Sequence, residues 1–241
     1  MLPELKSNAP ILVAGDSISK GVSYDAERGR HVLLREGFCA QVAKFLKPAV
    51  ENISRFGCKS GELVHSLRTK FTQQGEKPSL VLLEVGGNDC DFDWDAVARD
   101  PLAPHRPNTP LPEYEQNLFE IVTTVQEAGS QPILCDLPPI DADRYFRFFT
   151  RGEPERASRI LQFLGSVGRI YWWHERYSAA VERVAQATKT PLILLRASML
   201  ADEDYRACVS DDGLHPNARG YERLAQTTLS YIQKYAPALL L

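Results

Sequence analysis

Five short apolar runs, spread along the chain and separated by helix-like segments, constrain the fold of this sequence most strongly. The clearest are residues 11–14, which end at Gly15, and residues 79–85, which run into Gly86. Weaker runs lie at residues 49–54, 132–137 and 191–195. Runs that are apolar throughout, rather than alternating with polar residues, are typical of parallel strands buried on both faces. The pattern therefore predicts a parallel sheet covered on both sides.

Between these runs, apolar residues recur at helical spacing. The predicted helices lie around residues 38–46, 63–71, 112–129, 173–184 and 221–235. Strands that alternate with helices through right-handed crossovers predict a three-layer α/β/α sandwich around a five-stranded parallel sheet with flavodoxin-like strand order. The length of 241 residues suits one domain. We expect residues 1–241 to form it, with insertions at about residues 90–111 and 140–168, the second of them irregular.

Several polar groups with chemical potential follow the predicted strands. They are Ser17, Gly57, Asn88, Asp212 and His215. In an open parallel sheet, ligands bind beyond the carboxyl ends of the strands, so these groups are expected to converge there. A hydroxyl, a glycine amide, a carboxamide and an acid–imidazole pair are sufficient for acyl transfer.

Each group has a role that elementary chemistry assigns. A serine hydroxyl is a poor nucleophile until a base takes its proton, and an imidazole such as that of His215 titrates near neutral pH. Asp212, three residues earlier, can orient the ring. The backbone amides of Ser17 and Gly57 and the side chain of Asn88 are candidate donors to a developing oxyanion. Each motif alone is weak, since Gly-Asp-Ser is more often a turn than a nucleophile, but together they predict a serine hydrolase.

Four sequence blocks resemble those of the SGNH/GDSL hydrolase family. They are GDSxxxG from Gly15, Asn52 with Gly57 five residues later, GGND from Gly86, and DxxHP from Asp212. The resemblance spans residues 15–216 and implies the SGNH hydrolase fold, esterase or acylhydrolase activity, and neither a metal nor a cofactor.

By this resemblance Ser17 is the nucleophile and an oxyanion donor, Gly57 and Asn88 complete the oxyanion hole, and Asp212 and His215 complete the catalytic triad. The departures are local: Cys58 follows the oxyanion glycine, and both insertions look longer than in the smallest members. These departures leave the identity of the substrate undetermined, but they do not alter the predicted chemistry.

We therefore expect a carboxylester hydrolase that works through an acyl-enzyme on short-chain acyl esters or carbohydrate acetyl esters. One alternative is a lysophospholipase or acyl-thioesterase with a longer acyl chain under an aromatic lid. Another is an acyltransferase, because the acyl-enzyme is common to both reactions. A non-catalytic acyl- or carbohydrate-binding module is the alternative from another class.

Charge and cysteine content limit the partners. The net charge of −3 and the absence of a basic run interleaved with aromatics argue against nucleic acid, and no stretch is long and apolar enough for a membrane span. The five cysteines form no CxxC and residues 1–10 show no secretory signal, so we expect free thiols and a cytoplasmic location. A small-molecule ester is the one expected partner, with a homo-oligomer left open.

Other features are interpreted as structural. The alternating aspartates at 89, 91, 93 and 95 have Trp94 where a calcium loop needs glycine, which favours a solvated acidic loop. The arginine-rich aromatic run at residues 144–149 is interpreted as a packed loop, and His174 as a surface or capping histidine on a helix. No partner is identified for His31, His65 or His105.

Overall fold

The computed structural model of the protein describes residues 9–73 and 77–241. Its strands are β1 (Ile11–Gly15), β2 (Val22–Asp25), β3 (Arg30–Leu33), β4 (Val50–Asn52), β5 (Leu80–Glu84), β6 (Gln131–Cys135) and β7 (Leu192–Ile193). Five of them form a parallel sheet in the order β4-β1-β5-β6-β7. With β2 and β3 set aside, this is the predicted flavodoxin-like order, which is confirmed.

Ten α-helices accompany the strands in the described residues. They are α1 (Ser17–Lys20), α2 (Phe38–Ala43), α3 (Ser60–Thr72), α4 (Trp94–Arg99), α5 (Leu111–Glu127), α6 (Ala142–Thr150), α7 (Pro154–Leu164), α8 (Gly168–Thr188), α9 (Leu195–Leu200) and α10 (Ala218–Tyr235). Within residues 9–73 and 77–241, no helix combines the length and the apolar character needed to cross a membrane.

The sheet divides two apolar cores, because successive side chains of a strand point to opposite faces. On β1, Leu12 and Ala14 pack with the apolar faces of α3, α5 and α8. Ile11 and Val13 pack on the other side with α2, α9 and α10. Each wholly buried aliphatic side chain stabilises the fold by roughly 1.5–3 kcal/mol. The predicted three-layer sandwich is confirmed.

The register of β1 and β5 brings together the loops that carry Ser17 and Asn88. The strands pair from Ile11 with Leu80 to Gly15 with Glu84, so they end at the same level. A side chain at residue 15 would prevent this, because a Cβ on Gly15 would lie 1.9 Å from the carbonyl oxygen of Glu84. The loops that follow the two strands therefore begin side by side.

The prediction of an irregular second insertion is wrong, because residues 140–168 contain α6 and α7. Asp141 caps α6 by accepting hydrogen bonds from the amides of Asp143 and Arg144, both at 3.1 Å. Tyr145 and Phe149, four residues apart, share one helix face and are buried. The ring of Phe149 stacks on Trp94 of α4 at 4.2 Å. Residues 90–111 and 140–168 therefore pack on each other in a third apolar cluster.

Other elements were not predicted either: they are α1, α4, α9 and the antiparallel hairpin of β2 and β3. The strand expected over residues 191–195 is limited to Leu192–Ile193, because α9 begins at Leu195.

Candidate active site

Ser17 lies at a sharp change of direction after β1. Asp16 caps α1, its side chain accepting a hydrogen bond from the amide of Ile18 at 2.9 Å, and Ser17 is the first residue of the helix. The Ser17 amide has no acceptor among the described residues, as is usual for the first amides of a helix. The hydroxyl and the free amide therefore lie at the carboxyl edge of the sheet.

Asp212 and His215 lie in a tightly closed loop just before α10. The amide of Ser210 donates to the carbonyl of His215 at 2.8 Å, which joins the two ends of the loop. Asp212 Oδ1 accepts hydrogen bonds from Ser210 Oγ at 2.8 Å and from the amides of Leu214 and His215 at 2.9 and 3.0 Å. Gly213 has a φ of +78°, a conformation that glycine adopts readily. The carboxylate is thus held in one orientation.

The structure brings Ser17, His215 and Asp212 into a continuous chain of hydrogen bonds. His215 Nε2 lies 2.9 Å from Ser17 Oγ, and His215 Nδ1 lies 2.6 Å from Asp212 Oδ2. Burial alone would raise the pKa of Asp212, but hydrogen bonding and charge from His215, together with the loop amides, lower that pKa to about 2. An ionised carboxylate only accepts, so Nδ1 carries the hydrogen and Nε2 is free to accept the Ser17 proton.

A second imidazole reaches the same carboxylate oxygen. His31, on β3, places Nε2 3.1 Å from Asp212 Oδ2, and the His31 and His215 rings lie 5.0 Å apart. The expectation that His31 has no partner is therefore wrong. The two residues are 181 positions apart, and the hairpin that carries His31 gave no signal in the sequence.

These three side chains also form the one group of potential metal ligands found in the described parts of the chain. Ligand atoms of His31, Asp212 and His215 lie within 4.8 Å of one another. Asp212 Oδ2 is engaged by both rings, and His215 by Ser17 as well, so the arrangement suits proton transfer. The expectation of a solvated acidic loop is wrong for Asp89 and Asp91, because Asp89 is buried and Asp91 accepts hydrogen bonds from Trp94 and Tyr145.

Asn88 and Gly57 are the other two predicted oxyanion donors. Asn88 Nδ2 donates to the carbonyl of Cys58 at 3.1 Å and approaches Asp16 Oδ2 at 3.4 Å. Gly57, in the turn after β4, has a φ of +75°, and no acceptor for its amide is found in the described residues. Asn88, Ser17 and His215 line one cavity, and Gly57 is not among the residues that line it.

A buried pair of acids supports this arrangement, and sequence reasoning missed it. Burial raises the pKa of Asp16 to about 6, against a hydrogen bond from Glu84 that lowers it. Burial and then the charge of Asp16 raise the pKa of Glu84 well above its usual value. The pair therefore shares a proton at neutral pH, with Glu84 the donor. Glu84 could have been found, because it is the one charged residue in the strongest apolar run.

The cavity at Ser17 adjoins a second space formed by residues 90–111 and 140–168, among others. Its volume is about 60 Å³, and its walls include Asn88, Leu137, Ile140 and Leu214. A smaller space of about 20 Å³ shares Ile140 and Leu214 with it and ends among aromatic and aliphatic side chains: Phe92, Trp94, Leu164, Ile170 and Trp173. On the open side, a groove of about 660 Å³ runs from His31 between the β2–β3 hairpin and α6.

Known proteins resemble this chain over most of its length. Esterase TesA of Pseudomonas aeruginosa is 27% identical over 177 residues, which cover 70% of this chain and 78% of that protein. The solved lipase/acylhydrolase of Enterococcus faecalis shares the fold with a TM-score of 0.65 at 22% identity, over 93% of this chain and 95% of that one.

A mutant of Axe2, an acetyl-xylooligosaccharide esterase of Geobacillus Stearmophilus, gives a TM-score of 0.63 at 20% identity, over 95% and 96% of the two chains. At these identities the solved structures establish the fold. The sequence model of the GDSL-like lipase/acylhydrolase family matches residues 13–223. Since that match covers most of the chain, the protein belongs to the GDSL-like lipase/acylhydrolase family.

Proposed function

We propose that this esterase cleaves short-chain acyl esters, carbohydrate acetyl esters among them, with Ser17 as nucleophile. The observation that supports the assignment best is the chain of hydrogen bonds from Ser17 Oγ through His215 to Asp212, with distances of 2.9 and 2.6 Å. Distances of this size are within the range for direct proton transfer between side chains.

The reaction begins with proton transfer from Ser17 Oγ to His215 Nε2 as the oxygen attacks the ester carbonyl carbon. The carbonyl oxygen becomes an oxyanion, which the amides of Ser17 and Gly57 and the Asn88 side chain stabilise. Asp212 stabilises the protonated ring. The intermediate collapses, the alcohol leaves with the proton from His215, and the acyl group remains on Ser17. Water then attacks, with His215 again as the base, and the acid is released.

The size of the inner cavity supports a short acyl chain. A space of about 60 Å³ holds about four water molecules, which suits an acyl group of a few non-hydrogen atoms. The outer groove offers Tyr24 and Phe148 together with Arg30 and Arg156. Aromatic faces with hydrogen-bond donors beside them suit the ring and hydroxyl groups of a sugar alcohol.

The proposal extends to the setting of the protein. All five cysteines are buried free thiols, which supports a reducing compartment such as the cytoplasm. We propose one domain over residues 1–241, a small-molecule ester as substrate and no nucleic-acid partner.

Labelling with a fluorophosphonate tests the nucleophile. We expect the wild type to be labelled and the folded Ser17→Ala protein to remain unlabelled and inactive. A folded wild type that takes no label would contradict the proposal and favour a binding module.

A panel of aryl esters of increasing acyl length tests the substrate class. We expect the highest kcat/KM on acetyl to butyryl esters, followed by a steep fall as the acyl group outgrows the cavity. Best turnover on long chains would favour the lysophospholipase or thioesterase alternative. Adding acceptor alcohols and analysing the products distinguishes hydrolysis from acyl transfer.

A further inference from the structure

His174 is buried, contrary to the expectation of a surface or capping histidine. It lies on α8 with 5% of its surface exposed, and its Nδ1 is 3.4 Å from Arg196 Nη1. Arg196 Nη1 also donates to the carbonyl of Leu137 at 3.0 Å. A guanidinium has donors alone, so Nδ1 must be the acceptor and the hydrogen of the neutral ring must be on Nε2. Burial and then the charge of Arg196 lower the pKa of His174 to about 3, which keeps the ring neutral.

The Nε2–H group of His174 has no protein partner in the described residues. No hydrogen bond joins it to another side chain or to the backbone. The Nε2 atom nevertheless retains some accessible surface. The ring lines both the cavity at Ser17 and the smaller space beyond it. The Nε2–H group is therefore open to the cavity, where an acceptor on a ligand would complete its hydrogen bonding.

Asp91 provides a second polar group to the same two spaces. Its Oδ1 accepts hydrogen bonds from Trp94 Nε1 at 2.8 Å and Tyr145 Oη at 2.7 Å, which fix the carboxyl group in place. Arg169 and Tyr145 also line the smaller space, and its remaining walls are mostly aromatic and aliphatic. His174 and Asp91 are the polar side chains that line both spaces, one as a donor and the other as an acceptor, and a hydroxyl group is the simplest group that can satisfy both.

We propose that His174 is a specificity-determining residue that selects acyl groups carrying a hydroxyl. In this arrangement Nε2–H donates to the hydroxyl oxygen, and the hydroxyl hydrogen faces Asp91. The inference rests on the proposed function, since it places the acyl part of the ester in the inner cavity. The cavity volume limits the substrate class to short hydroxyacyl esters, for which 3-hydroxybutyryl is a suitable probe.

The test compares phenyl 3-hydroxybutyrate with phenyl butyrate, each rate corrected for the ester's hydrolysis by hydroxide. We expect the wild-type kcat/KM to favour the hydroxylated ester by about tenfold, the value of one good hydrogen bond. His174→Leu should abolish that preference. His174→Gln, whose amide can accept from Arg196 and donate into the cavity, should retain it. Ile140→Val, the matched control in the same wall, should change both rates equally.

Two results would overturn the proposal. One is a wild type with the same kcat/KM on phenyl butyrate as on phenyl 3-hydroxybutyrate. This result does not depend on the folding of any variant. The other is an unchanged preference in folded His174→Leu. In both cases the esterase itself is active, so the proposed function stands. If the wild type hydrolyses neither ester and takes no fluorophosphonate label, the proposed function and this inference fail together.

Discussion

Replacing His174 by glutamine should make the protein more resistant to acid. In the folded state, burial and the neighbouring Arg196 lower the pKa of His174 to about 3, whereas an exposed histidine in the unfolded chain titrates near its ordinary pKa of about 6.5. Between pH 6.5 and pH 3, His174 therefore binds a proton in the unfolded chain but not in the folded protein. A depressed folded-state pKa gives stability that is complete above pH 6.5 and is lost progressively as the pH falls toward 3.

The magnitude follows from the size of the shift. Each pH unit between the two pKa values corresponds to about 1.4 kcal/mol, so the full loss for His174 is about 5 kcal/mol. Between pH 7.5 and pH 5.0 the same relation gives a loss of about 2 kcal/mol. Glutamine binds no proton and can keep the contact with Arg196, so His174→Gln should lack this part of the pH dependence.

Urea unfolding of both proteins at pH 7.5 and pH 5.0 measures the effect. Other titrating groups, such as the acid pair of Asp16 and Glu84, are present in both proteins and cancel in the comparison. His65→Gln, on the exposed face of α3, is the matched control and should behave as the wild type. If wild type and His174→Gln lose the same stability on acidification, His174 is not a buried neutral ring and the reasoning is refuted.

Three further substitutions test the geometry around Ser17. Burial raises the pKa of Glu84 well above its usual value, so Glu84→Gln replaces an already uncharged group and should change the free energy of unfolding at pH 7, measured in urea, by less than about 1 kcal/mol. His31→Phe removes a hydrogen bond to Asp212 while keeping an aromatic ring; kcat on an aryl acetate should fall by about three- to tenfold with little change in KM. Gly213→Ala would place a Cβ 2.2 Å from the Tyr145 amide nitrogen at a φ of +78°. Thermal unfolding should show a loss of more than about 3 kcal/mol.

Each of these expectations has a result that contradicts it. A gain of several kcal/mol in Glu84→Gln would mean that the wild type buries Glu84 as a carboxylate. Unchanged kcat in His31→Phe would show that the second hydrogen bond on Asp212 does not affect the reaction. Gly129→Ala is the control for Gly213→Ala: its φ is +81° with no atom within 4 Å of the added Cβ, so it should cost about 1 kcal/mol. Equal losses at the two glycines would refute the argument from close contact.

The sheet was predictable because its inner strands, β1 and β5 above all, are buried on both faces and apolar along most of their length, and such runs are visible without knowledge of tertiary structure. The grouping of Ser17, Asn88, Asp212 and His215 was predictable for a related reason: each follows a strand or precedes a helix whose place in the layered fold is fixed. Their roles in the reaction stay predictions until the labelling experiment is done.

The features that were missed depend on contacts between distant segments. His31 lies on a hairpin whose strands are short and largely polar, so neither the strands nor the contact with Asp212 could be deduced from spacing. The sequence predicts that His174 lies on a helix, but helical periodicity does not show which face another segment covers. Tyr145 of α6 and Leu164 of α7 line the same small space as His174. The arginines within residues 144–149 obscure the four-residue spacing of Tyr145 and Phe149, so the sequence does not show that this run is helical.

The separation of Ser17 from His215 by 198 positions has a consequence for synthesis of the protein. Ser17 is synthesised just after the first strand, whereas His215, its base, is synthesised only shortly before the last helix. A growing polypeptide that has already formed most of its sheet would still lack His215, the imidazole that lies against the Ser17 hydroxyl oxygen. Any hydrolytic capacity should therefore arise abruptly, once the closing segment leaves the ribosome and docks, so that unfinished chains are harmless to esters around them.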